Sequence, residues 1–184
     1  MSIRNLNGLF QEERVQWLDT TITVRPSKPE DERLYASFFA ALTPEDIRQR
    51  FIGMISALMH HDLARMAQLD HDREMALIAV RRNAGGIEQI LGEARSAIDA
   101  DNEAADFSIM VRSDLKQRGL GTLLLSSLIH YQRGRGTRQL RGTVMADNAA
   151  MLELARHCGF TMESDGPGGE VRVRLDLDHI TGPR

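Results

Sequence analysis

A single cysteine, Cys158, stands in a chain of 184 residues, which excludes an intrachain disulfide and any metal site built from clustered cysteines. A lone thiol suits a reducing compartment, so a cytoplasmic location is expected. Long apolar runs are also lacking. No stretch approaches the ~20 residues needed to cross a bilayer as a helix, and residues 1–10, with Arg4 and several polar side chains, lack the continuous apolar centre of a signal peptide. Charge of one sign is scarce. A formal net charge of −3 gives the whole molecule no attraction to nucleic acid or to an anionic membrane. Any anion site must therefore be local. There are no internal repeats and no low-complexity tracts.

Hydrophobic residues make up 42% of the chain and charged ones 27%, the proportions of a soluble globular protein. The length suits one domain with a substantial core. Residues 1–19 read as an N-terminal extension or linker remnant, 20–178 as the domain and 179–184 as a tail. A first strand is expected over 22–26, stopped by Pro26 and Pro29. Pro29-Glu30-Asp31 then opens a helix, with proline and acids where a helix N-terminus accepts them, and Leu34, Phe38, Ala41 and Leu42 continue it. Thr43-Pro44-Glu45-Asp46 starts a second helix capped by Thr43, and a third short one is expected over 62–69.

The period then changes. Strands over 75–80, 88–97 and 106–111 form a meander, joined by turns at Asn83-Ala84-Gly85-Gly86 and Asp99-Ala100-Asp101-Asn102. A long amphipathic helix, a strand over 138–146, a helix over 148–157 and a strand over 170–177 complete the chain. This order predicts an α/β fold with a mixed, mostly antiparallel central sheet flanked by helices.

The stretch that carries chemistry is Val111-Arg112-Ser113-Asp114-Leu115-Lys116-Gln117-Arg118-Gly119-Leu120-Gly121-Thr122. A strand ends, a loop with two alternating glycines follows, and a helix begins with one apolar face at 120, 123, 124, 128 and 131. The first turn of a helix has unpaired N–H groups and the positive end of the dipole. Glycines let a phosphate approach that backbone closely, and Lys116 and Arg118 add positive charge. These features describe a diphosphate cradle. A dinucleotide fingerprint would need a third glycine where Leu124 stands, and a nucleoside-triphosphate loop would need Gly-Lys-Ser/Thr, which is absent. A tight strand-to-helix turn without a ligand is the plainer alternative.

The loop resembles the coenzyme A loop of the GNAT superfamily, Gln/Arg-x-x-Gly-x-Gly/Ala, with Lys116 in the first place followed by Gly119 and Gly121. Asp147-Asn148-Ala149-Ala150-Met151 through Cys158-Gly159-Phe160 resembles the superfamily's downstream Asn, helix and Gly-Phe element. Arg25-Pro26, Pro29-Glu30-Asp31, Phe38-Phe39, Leu42-Thr43-Pro44, Arg50-Phe51, Asp70-His71-Asp72-Arg73-Glu74-Met75-Ala76 and Ala105-Asp106-Phe107 are similar to the GNAT domain of Pat-type bacterial protein lysine acetyltransferases, over about residues 20–178. The resemblance implies acetyl-CoA as co-substrate without a metal, and a protein lysine as acceptor, with AMP-forming acyl-CoA synthetases the best-known substrate class. A small amine as acceptor and a non-catalytic acyl-CoA sensor are the alternatives. A homo-oligomer is compatible with all three.

The resemblance also implies roles. A lysine ammonium is neutral in only about one part in a few thousand at pH 7, so a base within reach speeds its attack on a thioester by about 10²–10⁴-fold. Pat-type enzymes resemble other lysine acetyltransferases in placing a Glu on the strand before the loop. Asp106 holds that position, ten residues before Lys116; the plainer alternative is a residue that merely starts a strand. The backbone around Ile109, Met110 and Val111 would polarise the thioester carbonyl and pair with pantetheine amides. Lys116, Gln117, Arg118, Gly119, Leu120, Gly121 and Thr122 would hold the diphosphate. Asn148 would cap its helix and contact the coenzyme. The tyrosine that many GNAT enzymes carry four residues before Gly-Phe is replaced by Ala155, so direct attack with a thiolate that takes its proton from water is expected. His157 and Cys158 read as structural, and His60-His61-Asp62 and Asp70-His71-Asp72, which have metal-ligand types without a recognised spacing, as solvated helix ends. Arg133, Arg135, Arg138 and Arg141 read as a solvated basic run able to meet a 3′-phosphate.

Overall fold

The computed structural model describes residues 10–50, 69–70, 72–164 and 169–177. Among these, eight strands form one sheet: β1 (Glu13–Trp17), β2 (Thr20–Pro26), β3 (Glu74–Arg82), β4 (Glu88–Ile98), β5 (Ala104–Val111), β6 (Gln139–Met145), β7 (Thr161–Ser164) and β8 (Glu170–Asp176). Their spatial order is β1-β2-β3-β4-β5-β6-β8-β7. Every neighbouring pair is antiparallel except β5 and β6. The mixed, mostly antiparallel sheet expected from the element order is present. The sheet begins at Glu13, inside the stretch read as an extension. Only Val15 and Trp17 of β1 face inward between Glu13, Arg14 and Gln16, a signal too short to stand out. Strand β7 has four residues and escaped the sequence reading for the same reason.

Among the described residues four α-helices flank the sheet: α1 (Glu32–Ala40), α2 (Pro44–Arg50), α3 (Leu120–Arg135) and α4 (Ala149–His157). Pro29–Asp31 is a 3₁₀ turn leading into α1, not the first turn of the helix itself. Thr43 caps α2 as expected, its hydroxyl accepting the Asp46 N–H at 3.2 Å while Asp46 Oδ2 accepts the Thr43 N–H at 3.4 Å. The helix expected over 62–69 and the His60-His61-Asp62 group fall outside the described residues, apart from Leu69, as does His71.

Alternation along the strands sorts side chains to two faces. On one, Leu77, Ala79, Leu91 and Ala94 pack against Leu120, Leu124 and Leu128 of α3, while Leu140, Val144, Val171 and Val173 pack with Leu125, Ile129 and Ala155. On the other, Ile78, Val80, Ile90 and Met110 meet Tyr35, Phe38 and Phe39 of α1. The Arg25-Pro26 and Pro29-Glu30-Asp31 motifs acquire a physical reason here. Arg25 donates to both Asp31 oxygens at 2.7 and 2.8 Å and to Glu88 at 2.9 Å, so β2, the turn before α1 and β4 share one buried ion cluster.

Candidate functional site

Parallel strands β5 and β6 pair only over Ala104–Gln139, Ala105–Leu140 and Asp106–Arg141. Beyond that point β5 stays with β4 as far as Val111, and β6 stays with β8 as far as Met145. The two strands part, leaving a wedge-shaped seam. Arg112 donates to the Leu91 carbonyl at 2.9 Å and Asp99 to the Ala104 carbonyl at 2.8 Å, in an unbroken register. By ladder alternation the even-numbered residues of β5 therefore bond to β4, and Ile109 and Val111 turn N–H and C=O into the seam. Met110 differs. Its backbone faces β4 and its side chain is buried under α1. Of the three β5 residues expected to meet a ligand through their amides, the structure brings two to the seam.

At the wide end, β5 runs through a 3₁₀ turn (Ser113–Leu115) into the glycine loop. Gln117 at φ +57° and Gly119 at φ +80° are left-handed, and Gly119 is the N-cap of α3. A Cβ on Gly119 would meet no neighbour, so the backbone angle is what calls for glycine there. Gly121 has another reason: a Cβ would lie 3.2 Å from Leu154 Cδ2, so its bareness lets α3 pack against α4. The helix's first backbone bond runs from Leu123 N–H to Gly119 O, at 3.1 Å; among the described residues no backbone carbonyl takes the N–H groups of 116–122. Unpaired amides at the positive end of a 16-residue helix fit an anionic diphosphate.

Side chains brace this loop from both sides. Trp17 Nε1 donates to the Arg118 carbonyl at 2.9 Å. Asp46 of α2 accepts from both Lys116 Nζ and Ser113 Oγ. Burial alone would raise the Asp46 carboxyl, but the bonds from Lys116, Ser113 and Thr43 outweigh it and hold the group below the usual carboxylate range. Arg48 of α2 reaches Asp147 at 2.9 Å, beyond the end of β6. Helix α2 therefore ties together both lips of the seam. Next to Asp147, Asn148 Oδ1 accepts the Met151 N–H at 3.1 Å and caps α4 as expected.

At the narrow end stands Asp106, exposed on the face away from α3. Arg141 Nε donates to its Oδ1 at 2.9 Å, and that bond raises the guanidinium's own pKa further. Arg141 thus faces the carboxylate, not the glycine loop. A polar groove of about 530 Å³ opens beside the pair, lined among others by Thr143, Thr161, Glu163, Arg172 and Arg174. Phe107 and Phe160 close the floor on the helix side with ring centroids 4.9 Å apart. Ala155 is fully buried in the core and has no hydroxyl to act as an acid. Cys158 is half-buried, and burial pushes its thiol pKa up, away from nucleophilic use at neutral pH.

Sequence reasoning missed Trp17, Asp46 and a buried network in which Tyr35 donates to Glu93 and accepts from the Ser27 hydroxyl at 3.2 Å, while Arg95 donates to Glu93. Burial, then the Glu93 charge, lifts the Tyr35 hydroxyl well above its ordinary pKa, so it stays a donor that pins α1 to β4. Among the described residues no cluster of three metal-ligand side chains forms.

The profile of the acetyltransferase (GNAT) family matches residues 7–160. An acetyltransferase of Pseudomonas aeruginosa is 26% identical over 144 residues, spanning 78% of this chain and 77% of its own. An L-methionine sulfoximine/L-methionine sulfone acetyltransferase of the same species is 34% identical over 74 residues, 39% of this chain and 43% of its own. The crystal structure of the GNAT domain of the Streptomyces lividans PAT protein superposes with a TM-score of 0.77 at 25% identity, covering 90% of this chain and 96% of that one.

Proposed function

The chain belongs to the GNAT acetyltransferase family, and from that premise we propose that it transfers an acetyl group from acetyl-CoA to the ε-amine of a lysine presented by another protein, with Asp106 as general base. The observation that carries this reading is the seam itself: a carboxylate at its narrow end and unpaired helix amides at its wide end, joined by one strand. Lys116, Gln117, Arg118, Gly119, Leu120, Gly121 and Thr122 hold the diphosphate, chiefly through backbone N–H groups. Ile109 and Val111 offer seam-facing amides to the pantetheine arm and the thioester oxygen. Asn148 lines the opposite lip.

The thioester supplies an acyl carbon open to a neutral amine. Asp106 takes the ammonium proton, directly or through one water, because an aspartate is a methylene shorter than the glutamate of related enzymes. Arg141 holds Oδ1 and so orients the carboxylate toward the groove. No side chain is assigned to protonate the leaving thiolate, since Ala155 is buried and aliphatic. As the C–S bond breaks, the attacking nitrogen loses its second proton to solvent to leave a neutral amide, and the thiolate collects a proton from solvent.

Support for a protein acceptor comes from the shape and chemistry of the groove. It is partly open, has a mixed polar and apolar lining and lies on the outer face of β6, β8 and β7, where a lysine side chain presented by another protein can enter beside Asp106. The similarity to a methionine sulfoximine/sulfone acetyltransferase supports a second reading, a small amine acceptor. Mass spectrometry separates them: with acetyl-CoA, an AMP-forming acyl-CoA synthetase should gain one acetyl group on a lysine while a panel of free amino acids and polyamines stays unmodified. The reverse pattern overturns the protein reading.

A further inference from the structure

We propose that Trp17 is a positioning residue for coenzyme binding, its indole N–H holding the Arg118 carbonyl so that the Gly119 N–H is aimed at the diphosphate. The inference rests on the reading that the glycine loop holds that group. Trp17 ends β1, 101 residues from its partner, and is 7% exposed. Its ring packs in the same core cluster as Leu115 and Leu120, which bracket the loop.

In a trans peptide the carbonyl and the following N–H point in opposite directions. Fixing the Arg118 oxygen toward β1 therefore points the Gly119 N–H outward, with the other unpaired amides of the turn. Glycine makes the alternative cheap. With no Cβ at 119, the peptide unit between 118 and 119 can flip without a clash, and the flipped carbonyl oxygen would face an anion it repels. Gln117 and Gly119, both left-handed, hold the units on either side in alternation. Among the described residues the indole bond is the one side-chain hydrogen bond to this peptide. It selects the binding orientation before the ligand arrives.

Trp17→Phe keeps the ring and removes the N–H. Calorimetry should show acetyl-CoA bound about 3- to 10-fold more weakly, the span of one net hydrogen bond. KM for acetyl-CoA should rise in step while kcat stays within about twofold. Val24→Ala, in the same core but away from the loop, should lower the melting temperature and leave the affinity within about twofold. Trp17 is the only tryptophan, so the emission of the unaltered protein should change saturably at the calorimetric Kd, and this titration decides the matter if Trp17→Phe does not fold. A folded Trp17→Phe that binds like wild type, or wild-type emission that stays constant while heat reports binding, overturns the inference and leaves the loop reading intact. Neither heat nor emission change from wild type overturns both.

Discussion

The two ends of the seam are built from different materials. At the wide end the working parts are backbone amides, set by two left-handed residues and the start of α3. At the narrow end they are side chains, Asp106 and Arg141, meeting across two strands 35 residues apart in sequence. The wide end is continuous in sequence and, on the proposed reading, presents main-chain groups to the co-substrate that the whole family uses. The narrow end depends on register and on exposed side chains, which is where acceptor choice can vary without disturbing the fold. A shared co-substrate and a private acceptor thus divide along the line between main chain and side chain.

That division breaks or holds under substitution. The largest effect is expected at the narrow end: Asp106→Asn should lower kcat by about 10²–10⁴-fold while calorimetry finds acetyl-CoA affinity unchanged. A loss of affinity instead would mean the two ends are not separable. The next concerns the scaffold. Asp31→Asn strips the buried Arg25 of one partner, Glu88 remaining, and should cost about 3 kcal/mol in urea unfolding without changing the acetyl-CoA Kd. Burial would raise the Asp31 carboxyl, but the bonds from Arg25 and Lys28 hold it below its ordinary pKa. Its contribution is therefore complete above the unfolded value of about 3.9 and is lost as pH falls through the lower folded value. The stability gap between wild type and variant should close in that acid range, and a gap that persists there would assign the loss to packing.

At the wide end, Gly119→Val places a β-branched residue at φ +80° and should weaken acetyl-CoA binding by about tenfold, the order of the left-handed penalty, with kcat at saturation retained. The smallest effect is expected at Cys158. Its thiol is held protonated by burial, and direct attack needs no covalent enzyme intermediate, so Cys158→Ala should keep kcat within about twofold and no acetyl-enzyme should appear in intact-mass spectra.

What was legible in the sequence follows the same line. The glycine loop, the Thr43 and Asn148 caps and the hairpin turn at Asn83, whose side chain accepts the Gly85 and Ile87 N–H groups at 2.9 and 3.0 Å, are local patterns that a few adjacent residues specify. Long-range partners were not legible. Nothing near Trp17 announces Arg118, and nothing near Asp46 announces Lys116. Arg141 read as part of a solvated basic run because its register against Asp106 exists only in the folded sheet. Gly121 reads as a residue for phosphate approach, and the folded structure adds that a Cβ there would lie 3.2 Å from Leu154 Cδ2, so helix packing also favours a small residue.

Diphosphate binding by the loop amides is tested one N–H at a time by their chemical shifts. In ¹⁵N-labelled protein titrated with acetyl-CoA, the N–H resonances of Gly119, Leu120 and Gly121 should move downfield together and saturate at one equivalent. If those three stay in place while the protein is folded and other resonances respond, the diphosphate lies elsewhere and the account is contradicted.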